Sequence, residues 1–230
     1  MIEIVPKSID SIFLYFHGAA SSSQEFLPYL KLFKIAFPST FIWAGNGPIA
    51  CQPNLRSNIQ YSNDKGGFWF TFPMQDASSV TNFQNNIEPM GAVLTSCGAY
   101  INLFVDSLME EYKVPASRVV LCGYQHGSCV ALAATMMRKM DPFSLAILFD
   151  PFPLETYYLK SEKALPKTKI VSVTNSWGIN RNRSMINDNI DDIFQSYGMN
   201  IDSIHIDKGG NKVDEFMMQA AIKIMHEQLS

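Results

Sequence analysis

Four cysteines in 230 residues, Cys51, Cys97, Cys122 and Cys129, are scattered without metal-ligand spacing, which argues against a zinc or iron–sulfur framework. Cys122 and Cys129 fall in apolar segments, so reduced structural thiols are expected there. Charge of one sign is also scarce. Eighteen Lys and Arg against 21 Asp and Glu leave a net charge of −3, with no extended basic field, so nucleic acid is not an expected partner. Met1 to Pro6 lack a basic segment followed by an apolar core, and no apolar stretch reads as long enough to cross a bilayer. The expectation is a cytoplasmic protein without a membrane span. Phosphate-binding loops, dinucleotide fingerprints, internal repeats and low-complexity tracts are likewise missing, so no cofactor and no metal are assigned. An apolar content of 47% and a charged content of 17% are those of a globular chain, and the length suits one domain over residues 1–230.

What is present is an alternation. Apolar runs of strand length recur at Ile12 to Phe16, Phe41 to Ala44, Val119 to Cys122, Leu145 to Phe149, Ile170 to Val173 and Ile201 to Ile206. Helix-spaced apolar positions lie between them, at Ile101, Phe104, Val105, Leu108, Met109 and Tyr112, and again at Val213, Phe216, Met217, Ala220 and Ile224. Strands alternating with helices predict an α/β fold with a mostly parallel sheet covered on both faces. From about 45 to 86 the pattern stops. That stretch is rich in Asn, Ser, Gly and Pro around the aromatic island Phe68-Trp69-Phe70-Thr71-Phe72, and reads as a long loop or cap.

The most informative feature is Gly123-Tyr124-Gln125-His126-Gly127, set between the run Val119 to Cys122 and the helix-like apolar run Cys129 to Met137. Strand, sharp turn and helix is the context of a Gly-x-Ser-x-Gly nucleophile elbow, in which the glycines permit a tight backbone beneath an exposed serine. Here the serine is glutamine. A carboxamide has no ionisable proton to give a base and is a very poor nucleophile, so acyl-enzyme chemistry cannot start at Gln125.

His17-Gly18-Ala19-Ala20-Ser21-Ser22 after the first clear strand, Phe37-Pro38 before the strand ending at Trp43, Gly47-Pro48 opening the long loop, and Phe68-Trp69-Phe70 follow one another in an order completed by the elbow. Together they resemble the carboxylesterase and acyl-protein thioesterase branch of the α/β hydrolases, over about Ile12 to Met225. The resemblance implies an α/β-hydrolase fold and ester or thioester chemistry. It also implies an acid after the strand at Ile170 to Val173 and a histidine after the strand at Ile201 to Ile206, where this chain carries Trp177 and Asn211. Hydroxyl, carboxylate and imidazole are then all replaced, a degenerate triad.

The remaining candidates each have two readings. The backbone N–H of His126, with that of Ala19, is implied by the resemblance as an oxyanion or carbonyl site, against a merely tolerated turn residue. Trp69 and the aromatics around it either line an acyl groove or anchor the loop to the core. Cys129, one helical turn after Gln125, is either a replacement thiol or a small core residue. Asp150, closing the run Leu145 to Phe149, is either a relocated acid or a turn former, and His205 is either its partner or a satisfied core histidine. Ser21, Ser22 and Ser23 are hydroxyls that need a base. The leading reading is a non-catalytic homologue, or pseudoenzyme, binding a small acyl or apolar ligand or a protein partner; the alternatives are an esterase or thioesterase with a relocated nucleophile, and a structural protein with a filled cleft.

Overall fold

The computed structural model describes residues 1–19, 21–50, 67–69, 87–138, 140–151, 167–176, 178, 192, 194–195, 199, 201–210 and 212–230. Six strands correspond to the six apolar runs: β2 (Ser11–Phe16), β3 (Thr40–Gly45), β6 (Val119–Tyr124), β7 (Leu145–Phe149), β8 (Lys169–Asn175) and β9 (Ile201–Ile206). A seventh, β1 (Ile2–Ile4), is too short for its alternation to register in the sequence. The seven form one sheet in the order β1-β3-β2-β6-β7-β8-β9. Every neighbouring pair is parallel except β1 with β3, which is antiparallel. A separate pair, β4 (Ile49–Ala50) and β5 (Gly67–Phe68), brings two ends of the 45–86 segment together.

Among the described residues the connections carry a 3-10 turn over Ser23–Tyr29 and the helices α1 (Leu30–Ala36), α2 (Ile87–Tyr112), α3 (His126–Met137) and α4 (Glu215–Leu229). β2, β6 and β7 are buried along their whole length, as strands covered on both faces must be. Alternation then sorts their side chains into two cores. Ile12, Leu14, Phe16, Val119, Leu121, Ala146 and Leu148 face one side, under α2 and α3. Phe13, Tyr15, Val120, Cys122, Ile147 and Phe149 face the other, under α4 and the segment from the 3-10 turn to α1. The expected α/β architecture, a mostly parallel sheet between helix layers, is the one found.

One expectation is corrected here. Ala92–Tyr112, within α2, spans 21 residues at a mean hydropathy of 1.3, which is long and apolar enough to cross a membrane by length and composition. Scattered polar residues such as Thr95, Asn102 and Asp106 break the run in the sequence without lowering its average below that level. In the fold this helix lies on α3 and contributes Leu94, Ile101, Val105 and Leu108 to the core. α3 fits its sequence: from His126 to Met136 every residue is buried, because the helix sits between α2 and the sheet.

Candidate active site

The elbow is built in full at the end of β6. Gln125 adopts φ 47° and ψ −107°, a conformation that a side chain disfavours. Its backbone N–H donates to the Phe149 carbonyl at 2.9 Å, and its own carbonyl accepts from the N–H groups of Ser128 at 2.9 Å and Cys129 at 3.4 Å, closing the first turn of α3. Both glycines are required by space. A Cβ on Gly127 would lie 2.0 Å from the Phe16 carbonyl oxygen, and one on Gly123 would lie 2.2 Å from the Gly127 carbonyl oxygen. Helix α3 therefore starts pressed against β2 and β6, and the chain must turn sharply to enter it.

Only the side chain on this frame departs from a nucleophile elbow. The Gln125 Nε2 donates to the Tyr124 hydroxyl at 2.8 Å. A Cβ on Gly18 would meet Tyr124 Cδ1 at 2.8 Å and Gln125 Oε1 at 3.7 Å, so the carboxamide faces the loop that follows β2. Ala19 lies in that loop, partly exposed. His126, by contrast, is buried, with 2% of the residue exposed. Burial, helped by the nearby charge of His17, pushes its pKa down to about 3, so the imidazole is neutral at pH 7. The turn thus orients a buried side chain at 126 while the residue opens the N-terminus of α3, where backbone N–H groups lack intrahelical acceptors.

His17 is the pivot of the adjoining loop. It is fully buried; Gly47 N–H donates to its Nε2 at 2.8 Å, so its Nδ1–H is the donor to the Gly18 carbonyl at 2.6 Å. Burial lowers its pKa to about 4, consistent with that neutral tautomer. Trp69 Nε1 donates to the His17 carbonyl at 3.0 Å, and its ring packs on those of His17 and Phe16 with centroids 5.0 and 5.3 Å away. Trp69, 7% exposed, ties its segment to the core. Phe70 and Phe72 lie outside the described residues.

Sequence reasoning overlooked Glu25. Its carboxyl, in the 3-10 turn, accepts from the hydroxyls of Ser21 at 2.5 Å and of Tyr15, and from the Gly18 backbone. Burial pushes its pKa up against those hydrogen bonds. The available signal was a tyrosine inside a strand buried on both faces, since a buried phenol needs a partner.

The other candidates separate. Cys129 is 2% exposed within the core, its thiol directed at the Gln125 carbonyl 3.8 Å away. Asp150 is fully buried with φ 42°, and its Oδ1 accepts from Asn175 N–H at 2.9 Å, bracing the ends of β7 and β8. His205 pairs with Thr174 on the edge strand β9, and it is exposed. This corrects the expectation of a core histidine: an edge strand has a neighbour on one side only, and β9 leaves Asp202, Ser203 and His205 exposed. Two strand spacings, about 9–10 Å, separate the line of Asp150 from that of His205. Trp177 and Asn211 lie outside the described residues. Asn175, two residues before Trp177, is buried, accepts from Gly178 N–H at 2.9 Å and donates to the Gly210 carbonyl at 3.1 Å. No group of three or more His, Cys, Asp or Glu that could hold a metal occurs among the described residues. An open apolar groove lined by Leu32, Ile35, Ile222 and His226 lies between α1 and α4 and shares no residue with the elbow.

No protein-family model and no curated protein matches the chain. Solved structures do. Esterase PE8 superposes with a TM-score of 0.75 at 15% identity, over 99% of this chain and 97% of its own. SOBER1 of Arabidopsis thaliana gives 0.66 at 13% identity over 96% and 100%. The chain has the α/β-hydrolase fold. Acyl-protein thioesterase 2 of Zea mays, with a TM-score of 0.60 at 12% identity over 100% and 98%, belongs to the same group of α/β-hydrolase structures. At these identities the likeness is one of fold, and it agrees with the branch that the motif order resembles.

Proposed function

We propose that this α/β-hydrolase-fold chain acts on carboxylic esters or thioesters through a nucleophile other than residue 125. The observation that carries the reading is the strained turn at Gln125. Such a conformation costs roughly 1–3 kcal/mol, and outliers of this kind concentrate where geometry serves function. The strand–turn–helix frame around residue 125 is present, while the residue at its apex can act only as a hydrogen-bonding group. Structural likeness to esterases and thioesterases supports the substrate class at the level of fold.

The test is release of chromophore from acyl esters of several chain lengths by the wild type and by Gln125→Ala. Turnover in both supports the reading. Loss confined to Gln125→Ala would put residue 125 back into the chemistry.

A second reading is favoured by the same glutamine: a non-catalytic protein that binds a small acyl or apolar ligand, or a protein partner, beside the elbow. The carboxamide, whose Nε2 donates to the Tyr124 hydroxyl, puts a hydrogen-bonding group in the place of a nucleophile. Absence of turnover in both proteins, together with a rise in melting temperature on adding a fatty acid or acyl amide, would favour it.

A further inference from the structure

Three consecutive serines follow β2, and the fold gives each a different task. Ser22 caps the 3-10 turn by accepting from Gln24 N–H at 3.3 Å, and Ser23 is fully buried. Ser21 is partly exposed, and its Oγ donates to Glu25 Oε2 at 2.5 Å. Its backbone is held on both sides, by Ser21 N–H to the Gly18 carbonyl at 3.2 Å and by Gly67 N–H to the Ser21 carbonyl at 2.8 Å. The Glu25 carboxyl is oriented in turn by the Tyr15 hydroxyl. A nucleophile within hydrogen-bond reach of a base, with the base oriented by a third group, is the general signature of covalent catalysis.

We propose that Ser21 and Glu25 are the nucleophile and general base of this protein, with Tyr15 as the positioning residue. The proposal rests on the hydrolase reading above and assigns its missing nucleophile. In the first step Ser21 Oγ bonds to the carbonyl carbon of an ester or thioester while its proton passes to the Glu25 carboxylate. The tetrahedral adduct collapses, the bond to the alcohol or thiol breaks, and Glu25 returns that proton to the leaving group. Water, deprotonated by Glu25, then attacks the acyl–Ser21 ester, and the carboxylic acid departs as Ser21 recovers its proton. No oxidant, metal or co-reactant is needed.

Two further observations agree with this assignment. The pair lies in the loop that Gln125 faces, because Gly18, which contacts the Glu25 carboxyl, also packs on Tyr124. Burial moves Glu25 up from the ordinary carboxylate range, and a base whose pKa lies nearer to neutrality accepts a proton from a hydroxyl more readily.

The experiment combines a fluorophosphonate probe with chromogenic ester turnover on the full chain. The wild type is expected to carry one phosphonyl adduct, located by peptide mass spectrometry on Ser21. Ser21→Ala should lose at least about 100-fold in turnover together with the adduct, and Glu25→Gln, which keeps size and hydrogen bonding, should label and turn over about 100-fold more slowly. Full turnover in Ser21→Ala would overturn this assignment and leave the hydrolase reading standing. Neither turnover nor adduct in the wild type would overturn both. Wild-type labelling rates in Glu25→Gln would overturn the base role and reduce the carboxyl to a brace for the loop. The adduct site is read on the wild type, so the test survives a variant that fails to fold.

Discussion

The turn at residues 123–127 and the loop at residues 17–25 lie side by side at the carboxyl ends of β6 and β2, and one concentrates backbone strain while the other concentrates polar side chains. The turn holds the strain: a non-glycine residue at φ 47° and two glycines pressed against backbone. Its apex has no ionisable group. The loop has no described residue with positive φ, yet it gathers a partly buried carboxyl, two hydroxyls and a neutral imidazole. Backbone geometry and side-chain chemistry are therefore separable in this fold. The first follows from how α3 must enter the sheet, and the second from which polar groups the loop buries together.

That division is easiest to destroy at Gly127. Alanine there would put a methyl 2.0 Å from the Phe16 carbonyl oxygen, and no flexible side chain can yield, so Gly127→Ala should cost more than about 4 kcal/mol or fail to fold. Gly210→Ala is the control, with nothing within 4 Å of the added carbon. Urea denaturation of the pair should separate them completely.

Acid reads the loop and the turn through their histidines. His17 and His126 have folded-state pKa values of about 4 and about 3, below the ordinary histidine value of 6.5. A depressed pKa means that the fold prefers the neutral form. The corresponding stability is complete above about pH 6.5 and is lost as the pH falls towards 4 and then 3. The full losses are roughly 3 kcal/mol for His17 and roughly 5 kcal/mol for His126. Denaturation at pH 7, 5.5 and 4.5 should show a steep decline that His126→Asn flattens. Glu25 works with the opposite sign: its raised pKa means that stability is present at acid pH and is lost as the pH rises through the folded value. Glu25→Gln should accordingly raise the melting temperature at pH 8 more than at pH 4, and an unchanged difference would contradict the burial of that carboxyl.

Smaller effects test the strain and the anchor. Gln125→Gly and Gln125→Ala lose the same carboxamide, but only glycine relaxes at φ 47°, so Gln125→Gly should be the more stable by about 1 kcal/mol. At an ordinary position the order is reversed. Trp69→Phe removes the donor to the His17 carbonyl and keeps most of the packing, which should cost about 1 kcal/mol by thermal or urea denaturation.

The positions of six strands along the chain, the burial of the sheet and the elbow frame were legible in the residues because each rests on local periodicity or on glycine spacing, whereas the order of the strands in the sheet was not. β2, β6 and β7 announce themselves as uninterrupted apolar runs, and Gly123 and Gly127 mark a turn that no Cβ can enter. Chemical inertness of the elbow apex also follows from composition, since a carboxamide is no nucleophile in any fold. The exposed His205 was not legible, because whether a strand is an edge depends on what its far side meets. Nor was the Ser21–Glu25–Tyr15 cluster, whose members belong to a loop, a 3-10 turn and a strand. Pattern reading compares each residue with its sequence neighbours. Only the closure of β2 against the turn that follows it decides that a serine, otherwise one hydroxyl among three, faces a partly buried carboxyl.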